Sequence, residues 1–473
     1  MGRDLGRRCG KSSPSRRGAP SSTTRRRVAK TVGEGRSGRR VVEVGRAPLL
    51  RWRVPLFPTT HAALRRRIGA VVFAIGSVLA CATATAQPIA PGFVGVEGKR
   101  FVDGEGRTVN LKGINLGNWL MQEGYIFKFT KAGSPKKIHA AFEAMAGVEG
   151  ARAFWKTFHD VYVSEDDIRF IAAAGFNLIR VPLHHGLFVK DGDPPRFEGE
   201  GYALLDRVIG WARNAGLRVV MDMHAAPGGQ TGINHDDGPG YPLMFYVPKH
   251  RALTVALWKH IAARYRDEPA VLGYDLLNEP IAPYHDTAYL VPRLEPFYRE
   301  TTAAIRSVDP RHVVFLAGPR WSTNFDGLGA PFAKGLAYTF HGFWSSTRRN
   351  AIQKLLDFRD RHDVPLFLGE SGELTDEWNA AFRRLQERHG IGWSFWTYKN
   401  LDSTSTVYSI PRPADWSAIV AFVDRHASGD GTTTPPPRDL VERALADYLR
   451  GARFGGGVVR TSYLESLGLV APK

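Results

Sequence analysis

The stretch that decides the fold is VLGYDLLNEP, residues 271–280, in which a run of Val, Leu and Tyr ends abruptly at Asn278, Glu279 and Pro280. A short apolar run that ends in turn residues is consistent with a strand buried on both faces. Such a strand has no use for a carboxylate in its own packing, so Glu279 is either a solvated turn residue or a reagent held in a site. The remainder of the chain decides between these two interpretations.

Seven other runs of the same kind recur along the chain, separated by stretches of helical periodicity. Three of these stretches end in Gly, as helices often do: EDDIRFIAAAG from 165, YALLDRVIGWARNAG from 202 and DEWNAAFRRLQERHG from 376. Eight alternations of apolar strand and helix predict an α/β fold, the closed parallel (β/α)8 TIM barrel. The eight predicted strands are VNLKGIN from 109, NLIRVPL from 177, LRVVMDMH from 217, VLGYDLLNEP from 271, HVVFLAGP from 312, LAYTFHGF from 336, PLFLGESG from 365 and IGWSFWTYK from 391.

A different pattern precedes the first barrel strand. The segment FVGVEGKRFVDGEGRTVNLKGINL from 93 alternates apolar and polar residues around two turn dipeptides, Glu97-Gly98 and Asp103-Gly104. It predicts a small N-terminal β-hairpin cap on the barrel. We therefore expect the barrel domain to cover residues 93–453, followed by a C-terminal tail at 454–473.

The net charge of +18 is concentrated at the amino terminus. Residues 1–67 hold 19 of the 64 Lys and Arg residues but only 3 of the 46 Asp and Glu residues, which leaves 45 basic and 43 acidic residues for the rest. Residues 1–64 are rich in Arg, Gly, Ser and Pro, so we expect a disordered extension. The alternatives are a mis-assigned start, an unusual extension and an RNA-binding tail; we expect no nucleic acid partner.

A secretory pattern follows this extension. Arg65–Arg67 precede the apolar run IGAVVFAIGSVLACATA, and Ala84-Thr85-Ala86 precedes Gln87. This order of basic, apolar and small residues predicts a signal peptide at 65–86. The apolar run is shorter than a transmembrane helix usually requires. We expect a secreted protein, extracellular or periplasmic.

The cysteines agree with export. Cys9 and Cys81 both lie in the part that we expect to be removed, so the mature chain would contain neither disulfides nor thiolate metal ligands. The sequence VLAC that ends at Cys81 also resembles a lipoprotein cleavage site, and the product would be attached to a membrane only if Cys81 were lipidated.

Polar residues gather where the predicted strands end. In a TIM barrel the loops after the strands form the mouth, which is where chemistry collects. Each residue alone has a structural interpretation: an ion-pair partner, a satisfied core histidine, the start of a turn before Pro280, or a core tryptophan. Their convergence on one end favours a site. The residues are Arg180, His224, Asn278, Glu279, His341, Glu370 and Trp396.

Two carboxylates that face each other across a pocket suggest a specific reaction. Glycoside hydrolysis needs one acid to protonate the leaving oxygen and one carboxylate to attack the sugar or to activate water. Metal binding is the competing use, and it ranks second because no His-x-His or multi-Asp cluster accompanies Glu279 and Glu370. We expect neither a metal nor a cofactor.

These residues carry a resemblance to glycoside hydrolase family 5 from about residue 93 to residue 453. Asn278-Glu279-Pro280 resembles the acid/base motif of that family, and Gly369-Glu370-Ser371 resembles its nucleophile motif. The resemblance implies that Glu279 is the acid/base and Glu370 the nucleophile of a retaining reaction. It implies substrate-binding roles for Arg180, His224, Asn278, His341 and Trp396.

Within the family, three segments look most like the exo-β-1,3-glucanase branch: GINLGNWLMQEGYI from 113, HAAPGGQTG from 224 and GWSFWTYKN from 392. The branch uses a Glu in the first segment to hold the terminal sugar, which implies that role for Glu123. The expected substrate is a β-1,3-glucan or cellulose-like glucan, bound by a monomer. The loop TGINHDDGPGY after Gln230 departs from the branch pattern, so the resemblance favours exo cleavage and the β-1,3 linkage but leaves other cutting modes and linkages open.

The sixth predicted strand carries a second departure. The family usually has His-x-Tyr there, with the Tyr hydroxyl bonded to the nucleophile, whereas this chain has His341-Gly342-Phe343. Phe cannot donate that bond, and Tyr338 lies an odd number of residues away and should face the other side of the strand. We expect reduced but real activity, with Arg180 as the main group that keeps Glu370 ionised. The alternative is a catalytically weak or inactive carbohydrate-binding barrel.

Overall fold

A computed structural model describes residues 89–90, 92–190, 192–429 and 432–472. Its strands are β1 (Val94–Glu97), β2 (Arg100–Asp103), β3 (Lys112–Asn115), β4 (Leu178–His184), β5 (Arg218–Ala225), β6 (Val271–Asp275), β7 (Val313–Ala317), β8 (Leu336–Gly342), β9 (Leu366–Ser371), β10 (Gly392–Phe395), β11 (Lys399–Leu401), β12 (Tyr408–Ile410) and β13 (Val458–Val459). Its helices are α1 (Pro135–Tyr162), α2 (Glu165–Ala173), α3 (Glu200–Asn214), α4 (Pro248–Tyr265), α5 (Thr287–Arg306), α6 (Pro319–Ser322), α7 (Gln353–His362), α8 (Asp376–Arg388), α9 (Trp416–Ala427), α10 (Arg438–Ala452) and α11 (Thr461–Ser466).

Eight parallel strands close into a barrel in the order β10-β3-β4-β5-β6-β7-β8-β9. Each coincides with one of the eight predicted runs, with β4 and β5 extending one residue beyond theirs, so the predicted (β/α)8 barrel is confirmed. The three helical stretches that end in Gly form α2, α3 and α8. Gly175, Gly216 and Gly390 follow them with φ of 100°, 73° and 64°, values that favour glycine at a helix end.

The predicted hairpin is also present and lies at the amino end of the barrel. Strands β1 and β2 pair antiparallel, and their side chains Val94 and Phe101 are buried against residues at the start of the barrel strands, including Leu178, Val220 and Leu272. The Phe101 ring stacks on Phe315 with centroids 5.9 Å apart. Apolar side chains therefore close this end of the barrel.

The other end carries long additions. Helix α1 and a loop with a 3-10 helix at Gly124–Phe127 separate β3 from α2, and no run in the sequence analysis predicted α1. After β10, the chain forms a three-stranded sheet of β11, β12 and β13. The sequence analysis ended the barrel domain at residue 453, whereas β13 pairs with β12 and α11 buries Tyr463 and Leu464, so the fold continues through residues 454–472.

Three predictions concern the amino terminus. The expected extension at 1–64, the expected signal peptide at 65–86 and both cysteines lie outside the described residues. Within the part that the structure describes, no helix combines the length and the apolar character needed to cross a bilayer.

Candidate active site

Arg180 lies at the centre of the barrel mouth and contacts three carboxylates. Its guanidinium nitrogens lie 2.9 Å from Oδ1 of Asp222, 3.0 Å from Oδ2 of Asp275 and 2.6 Å from Oε1 of Glu370. The arginine is fully buried, which disfavours its charge, but the carboxylates outweigh that effect and raise the pKa of Arg180. Arg180 is therefore a fixed cation at the base of the pocket.

The register of the strands explains this convergence. Arg180 in β4 pairs with Asn115 in β3, whose Oδ1 accepts a 3.0 Å hydrogen bond from the guanidinium and whose amide donates to the Gly369 carbonyl at 3.0 Å. Asp222 in β5 and Asp275 in β6 are likewise paired neighbours. Adjacent parallel strands thus bring these polar side chains to one level of the barrel.

Glu370 and His341 are neighbours on β9 and β8, at a shift in register between Phe340 and His341. Nδ1 of His341 lies 3.6 Å from Oε2 of Glu370 and 2.9 Å from Oε1 of Glu279. One oxygen of each glutamate and this nitrogen all lie within 4.8 Å of one another. The two glutamates, far apart in sequence, therefore meet across one narrow gap.

Glu279 lies in a turn four residues beyond the end of β6, rather than at the strand end where the sequence analysis placed it. Its φ is 43°, a left-handed conformation that costs a non-glycine residue on the order of 1 kcal/mol. Hydrogen bonds hold the turn. The backbone N–H of Asn278 donates to the Met223 carbonyl at 2.9 Å, and Nε2 of Gln230 donates to the backbone carbonyl of Asn278 at 2.8 Å. The surrounding backbone thus fixes the Glu279 side chain.

His224 and Asn278 form a chain of hydrogen bonds between Arg180 and Asp222. Oδ1 of Asn278 accepts a hydrogen bond from Arg180 at 2.9 Å, and Nδ2 of Asn278 lies 3.3 Å from Nε2 of His224. Nδ1 of His224 lies 2.8 Å from Asp222. Burial lowers the pKa of His224 to about 3, so the ring is neutral, with Nδ1–H donating to Asp222 and Nε2 accepting from Asn278.

The two glutamates have different electrostatic surroundings. Burial raises the pKa of both, and at Glu370 the charge of Arg180 opposes that rise, to which His341 and His224 would add only in their charged forms. At Glu279 the charge of Arg180 opposes it, and His235 would add to that effect only in its charged form. Glu370 is the one that contacts Arg180 directly, so it is the more easily ionised of the two.

Trp396 lines the pocket together with Tyr125 and Glu373, which belong to other segments of the chain. Its ring is buried and lies nearly parallel to that of His224, with centroids 5.6 Å apart. Its indole Nε1 donates a 2.5 Å hydrogen bond to the Tyr125 hydroxyl, which is also hydrogen-bonded to Glu373. Glu373 was not predicted as a site residue. Its position three residues after Glu370 was the available sequence signal.

Glu123 precedes the 3-10 helix Gly124–Phe127 and faces the pocket. Among the described residues, its buried Oε1 has no hydrogen-bond partner, and it lies 3.8 Å from Nε2 of His224. Burial, followed by the charges of nearby glutamates, raises the pKa of Glu123 well above its usual value. Oε1 is therefore a buried polar atom at the pocket that has no partner among the described residues.

Glu279, Glu370 and their neighbours Glu123, His224 and Trp396 line a cavity of about 590 Å³, a size typical of small-ligand sites. The remaining wall is aromatic and includes Trp321, Phe343 and Trp344, of which Trp344 is 72% exposed at the rim. The Tyr338 hydroxyl donates to the Gly329 carbonyl at 2.9 Å and the ring is buried, so Tyr338 faces away from the cavity as expected.

A histidine that the sequence analysis missed completes the pocket. Nε2 of His235 lies 3.5 Å from Oε2 of Glu279. His235 belongs to the loop after Gln230 that departs from the branch pattern, and that departure was the available signal.

Two sets of side chains have donor atoms close enough to hold a metal ion: Asp222, His224 and Glu370, and Glu279, His341 and Glu370. Neither cluster was predicted from the sequence, because each combines residues that are far apart along the chain. Arg180 already supplies a positive charge at 2.6 Å from Glu370 and 2.9 Å from Asp222. A second cation beside Glu370 and Asp222 would therefore meet strong repulsion.

Comparison with known proteins adds a family to this geometry. The family model described as cellulase (glycosyl hydrolase family 5) matches residues 137–402. A β-xylosidase from Phanerodontia chrysosporium is 29% identical over 353 residues, covering 67% of this chain and 72% of its own length. A probable glucan 1,3-β-glucosidase A from Aspergillus fumigatus is 31% identical over 216 residues, covering 45% of this chain and 51% of its own length. The chain thus matches about half the length of that glucosidase.

A solved structure shares the fold. The crystal structure of endogalactoceramidase aligns with a TM-score of 0.53 and 20% identity, over 81% of this chain and 86% of that one. At this identity the likeness concerns the barrel architecture. The relatives named as glucan 1,3-β-glucosidases agree with the predicted resemblance to the exo-β-1,3-glucanase branch.

Proposed function

The chain belongs to the cellulase family, glycosyl hydrolase family 5, and from this premise we propose that it cleaves β-glucosidic linkages of a glucan by retaining double displacement. Membership makes the protein an O-glycosyl hydrolase. The proposed substrate is a β-1,3-glucan or a cellulose-like glucan. Because one relative is named as a β-xylosidase, β-xylosides belong in the same substrate panel.

One observation carries the mechanism: an oxygen of Glu279 and an oxygen of Glu370 lie within 4.8 Å of each other at the mouth. Retaining glycosidases have carboxyl groups about 5 to 5.5 Å apart, whereas inverting enzymes leave room for a water between them. The short gap supports direct attack by one carboxylate on the sugar.

In the first step, Glu370 attacks the anomeric carbon and forms a covalent glycosyl-enzyme while the bond to the leaving oxygen breaks. The contact with Arg180 at 2.6 Å supports the ionised nucleophile. Glu279 gives its proton to the leaving oxygen, and burial, which raises the pKa of Glu279, supports the protonated form. In the second step, Glu279 takes a proton from water, and the water oxygen replaces Glu370 on the anomeric carbon.

The surrounding residues are proposed to hold the sugar. Asn278 would contact the 2-hydroxyl, a bond that strengthens at the oxocarbenium-like transition state. The partnerless oxygen of Glu123 would accept from hydroxyls of the terminal sugar, which favours exo cleavage. Trp396 would present its flat face to the pyranose ring, and His224 and His341 would position the hydroxyls and the acid.

Trapping separates this function from its alternative. An activated 2-fluoro-β-glucoside should add one glycosyl mass to the peptide that contains Glu370, and the wild type should release a sugar of retained configuration. Glu370→Gln should lose the adduct, and Glu279→Gln should form it with an activated leaving group. A protein that binds laminarin without trapping or turnover would instead be the inactive carbohydrate-binding barrel that Phe343 suggests.

A panel of laminarin, cellulose, mixed-linkage glucan, mannan and aryl β-glucosides and β-xylosides defines the substrate. Release of single sugars from chain ends would support exo cleavage, and early release of long fragments would contradict it.

Export is proposed from residues 65–86 alone. Amino-terminal sequencing of secreted protein should begin near Gln87, and recovery of the Arg-rich segment in the mature product would contradict cleavage there. We also propose that the enzyme is a monomer, which size-exclusion chromatography with light scattering tests.

A further inference from the structure

The loop after β5 brings a histidine to Glu279 that the proposed mechanism does not use. Nε2 of His235 lies 3.5 Å from Oε2 of Glu279, while Nδ1 of His341 lies 2.9 Å from Oε1. Each oxygen of the carboxyl group therefore faces one imidazole nitrogen. The contact with His235 is longer than a normal hydrogen bond, and contacts of this kind often tighten when substrate binds.

Asp236 holds this loop in shape from within. Its buried carboxylate accepts hydrogen bonds from the backbone amides of Thr231 at 2.7 Å, Gly232 at 2.8 Å and Gly238 at 2.8 Å. The next residue, Asp237, accepts from the amide of Lys136 at 3.1 Å, at the start of α1. His235 is thus carried by an ordered segment that is anchored to the body of the protein.

The same loop is joined directly to the turn that carries Glu279. The amide of Ile281 donates to the Gln230 carbonyl at 3.0 Å, and the amide of Ala282 donates to the Thr231 carbonyl at 2.9 Å. Nε2 of His285 donates to the Gly232 carbonyl at 2.9 Å. The backbone therefore couples the position of His235 to the position of Glu279.

The charge state of His235 follows from its surroundings. Its Nε2 is buried and has no hydrogen-bond partner among the described residues. Burial lowers the pKa of His235 to about 4, so the ring is neutral near pH 6. The titratable groups that face it are Glu279, His224 and His341.

We propose that His235 is a positioning residue for the acid/base, whose neutral Nε2 accepts from Oε2–H of Glu279 and keeps the transferable proton on that oxygen. Oε1 already faces Nδ1 of His341 at 2.9 Å, so the proton for the leaving group is carried by Oε2 and passes from the longer contact with His235 to the leaving oxygen. The inference rests on the proposed function, in which Glu279 is the acid.

The test compares leaving groups in purified full-length variants. Phenyl β-glucoside needs a proton from the acid, whereas 2,4-dinitrophenyl β-glucoside does not. His235→Ala should lower kcat/KM for the phenyl substrate by about 10-fold or more, with the dinitrophenyl substrate within about 2-fold of wild type. The alkaline limb of the phenyl pH profile should move to lower pH, because the protonated acid loses its acceptor.

Two further variants identify the nitrogen as the active group. His235→Gln offers an amide acceptor near the position of Nε2 and should restore most of the phenyl activity. His235→Phe fills the space without an acceptor and should behave like His235→Ala. Wild-type behaviour of His235→Phe, or equal loss on both substrates, would overturn the inference.

Controls separate this inference from the proposed function. His260→Ala removes an imidazole that stacks on Phe197 outside the mouth, and it should leave both substrates unchanged. Glu279→Gln should show the largest difference between the two substrates. If it shows no difference, the assigned acid is wrong and the proposed function fails; if it does and His235→Ala does not, only the role of His235 fails. Melting temperatures establish that each variant is folded.

Discussion

The two ends of the barrel are built from the same eight strands but have opposite contents. The amino end is closed by the β1–β2 hairpin and by apolar side chains such as Phe101, Leu178 and Phe315. The carboxyl end buries Arg180 among carboxylates and neutral histidines. Apolar burial stabilises a fold directly, whereas buried charges offset the cost of their desolvation only when they are well paired. The amino end therefore stabilises the fold, whereas the carboxyl end is less stabilising and contains the candidate active site.

The sharpest test of this division is Glu370→Gln. It should lower kcat/KM on the order of 10⁴-fold or more, since in the proposed mechanism Glu370 forms the glycosyl-enzyme. The free energy of unfolding at pH 7 should be unchanged or higher, because burial opposes the charge of Glu370 and the amide removes that cost. Activity assays and urea unfolding measure the two effects; strong destabilisation with retained activity would break the comparison.

The converse variant is Phe101→Ala at the closed end. Loss of a buried phenyl group should lower the free energy of unfolding by about 3 to 5 kcal/mol. Its ring stacks on Phe315 rather than on any pocket residue, so kcat of the folded fraction should match wild type. Urea unfolding gives the first quantity and assays below the melting temperature give the second. A large change in kcat would show that the two ends are coupled.

The same contrast explains what could be predicted from the sequence. Strands buried on both faces appear as continuous apolar runs, so all eight barrel strands were found, and the polar residues that end them indicated the mouth. The conformation of the connecting loops depends on distant tethers. Glu279 lies beyond its strand because Gln230 and Met223 hold the turn.

The position of His235 could not be predicted from the sequence either. It lies beside Glu279 because hydrogen bonds to Asp236 shape the loop, and no local sequence pattern predicts these bonds. Glu373 was missed for a related reason. Its contact is with the Tyr125 hydroxyl, which belongs to a loop nearly 250 residues earlier in the chain. Period and composition predict strands and helices, whereas these contacts require the assembled barrel.

The mouth should also contribute to the acid sensitivity of the fold. Burial lowers the pKa of His224 to about 3 and the pKa values of His235 and His341 to about 4. Between these values and the ordinary histidine pKa of about 6.5, each of these three histidines binds more protons in the unfolded chain than in the folded one, so its contribution to stability falls as the pH falls. For each histidine, the free energy of unfolding should fall by at most about 1.4 kcal/mol per pH unit in this range.

Urea unfolding at pH 7 and pH 4.5 measures this slope. His341→Gln should reduce it, because one buried neutral imidazole is removed. Phe101→Ala should lower stability equally at both pH values, since it changes no titrating group. An identical slope in wild type and His341→Gln would contradict the assignment of this proton uptake to the mouth.

The smallest expected effect concerns the missing hydroxyl beside the nucleophile. Phe343 lines the cavity with Glu370, and Phe343→Tyr offers a phenol O–H that can donate to the carboxylate. One hydrogen bond to a charged group is worth about 1.5 to 3 kcal/mol, and because only part of this differs between the ground state and the transition state, turnover should rise by a few-fold to about 10-fold. Tyr338→Phe is the matched control: its hydroxyl bonds the Gly329 carbonyl on the other face of β8, so its loss should lower stability and leave turnover unchanged. A clear loss of turnover in Phe343→Tyr would mean that the ring of residue 343 cannot face Glu370, and that Arg180 alone is the better means of holding this nucleophile ionised.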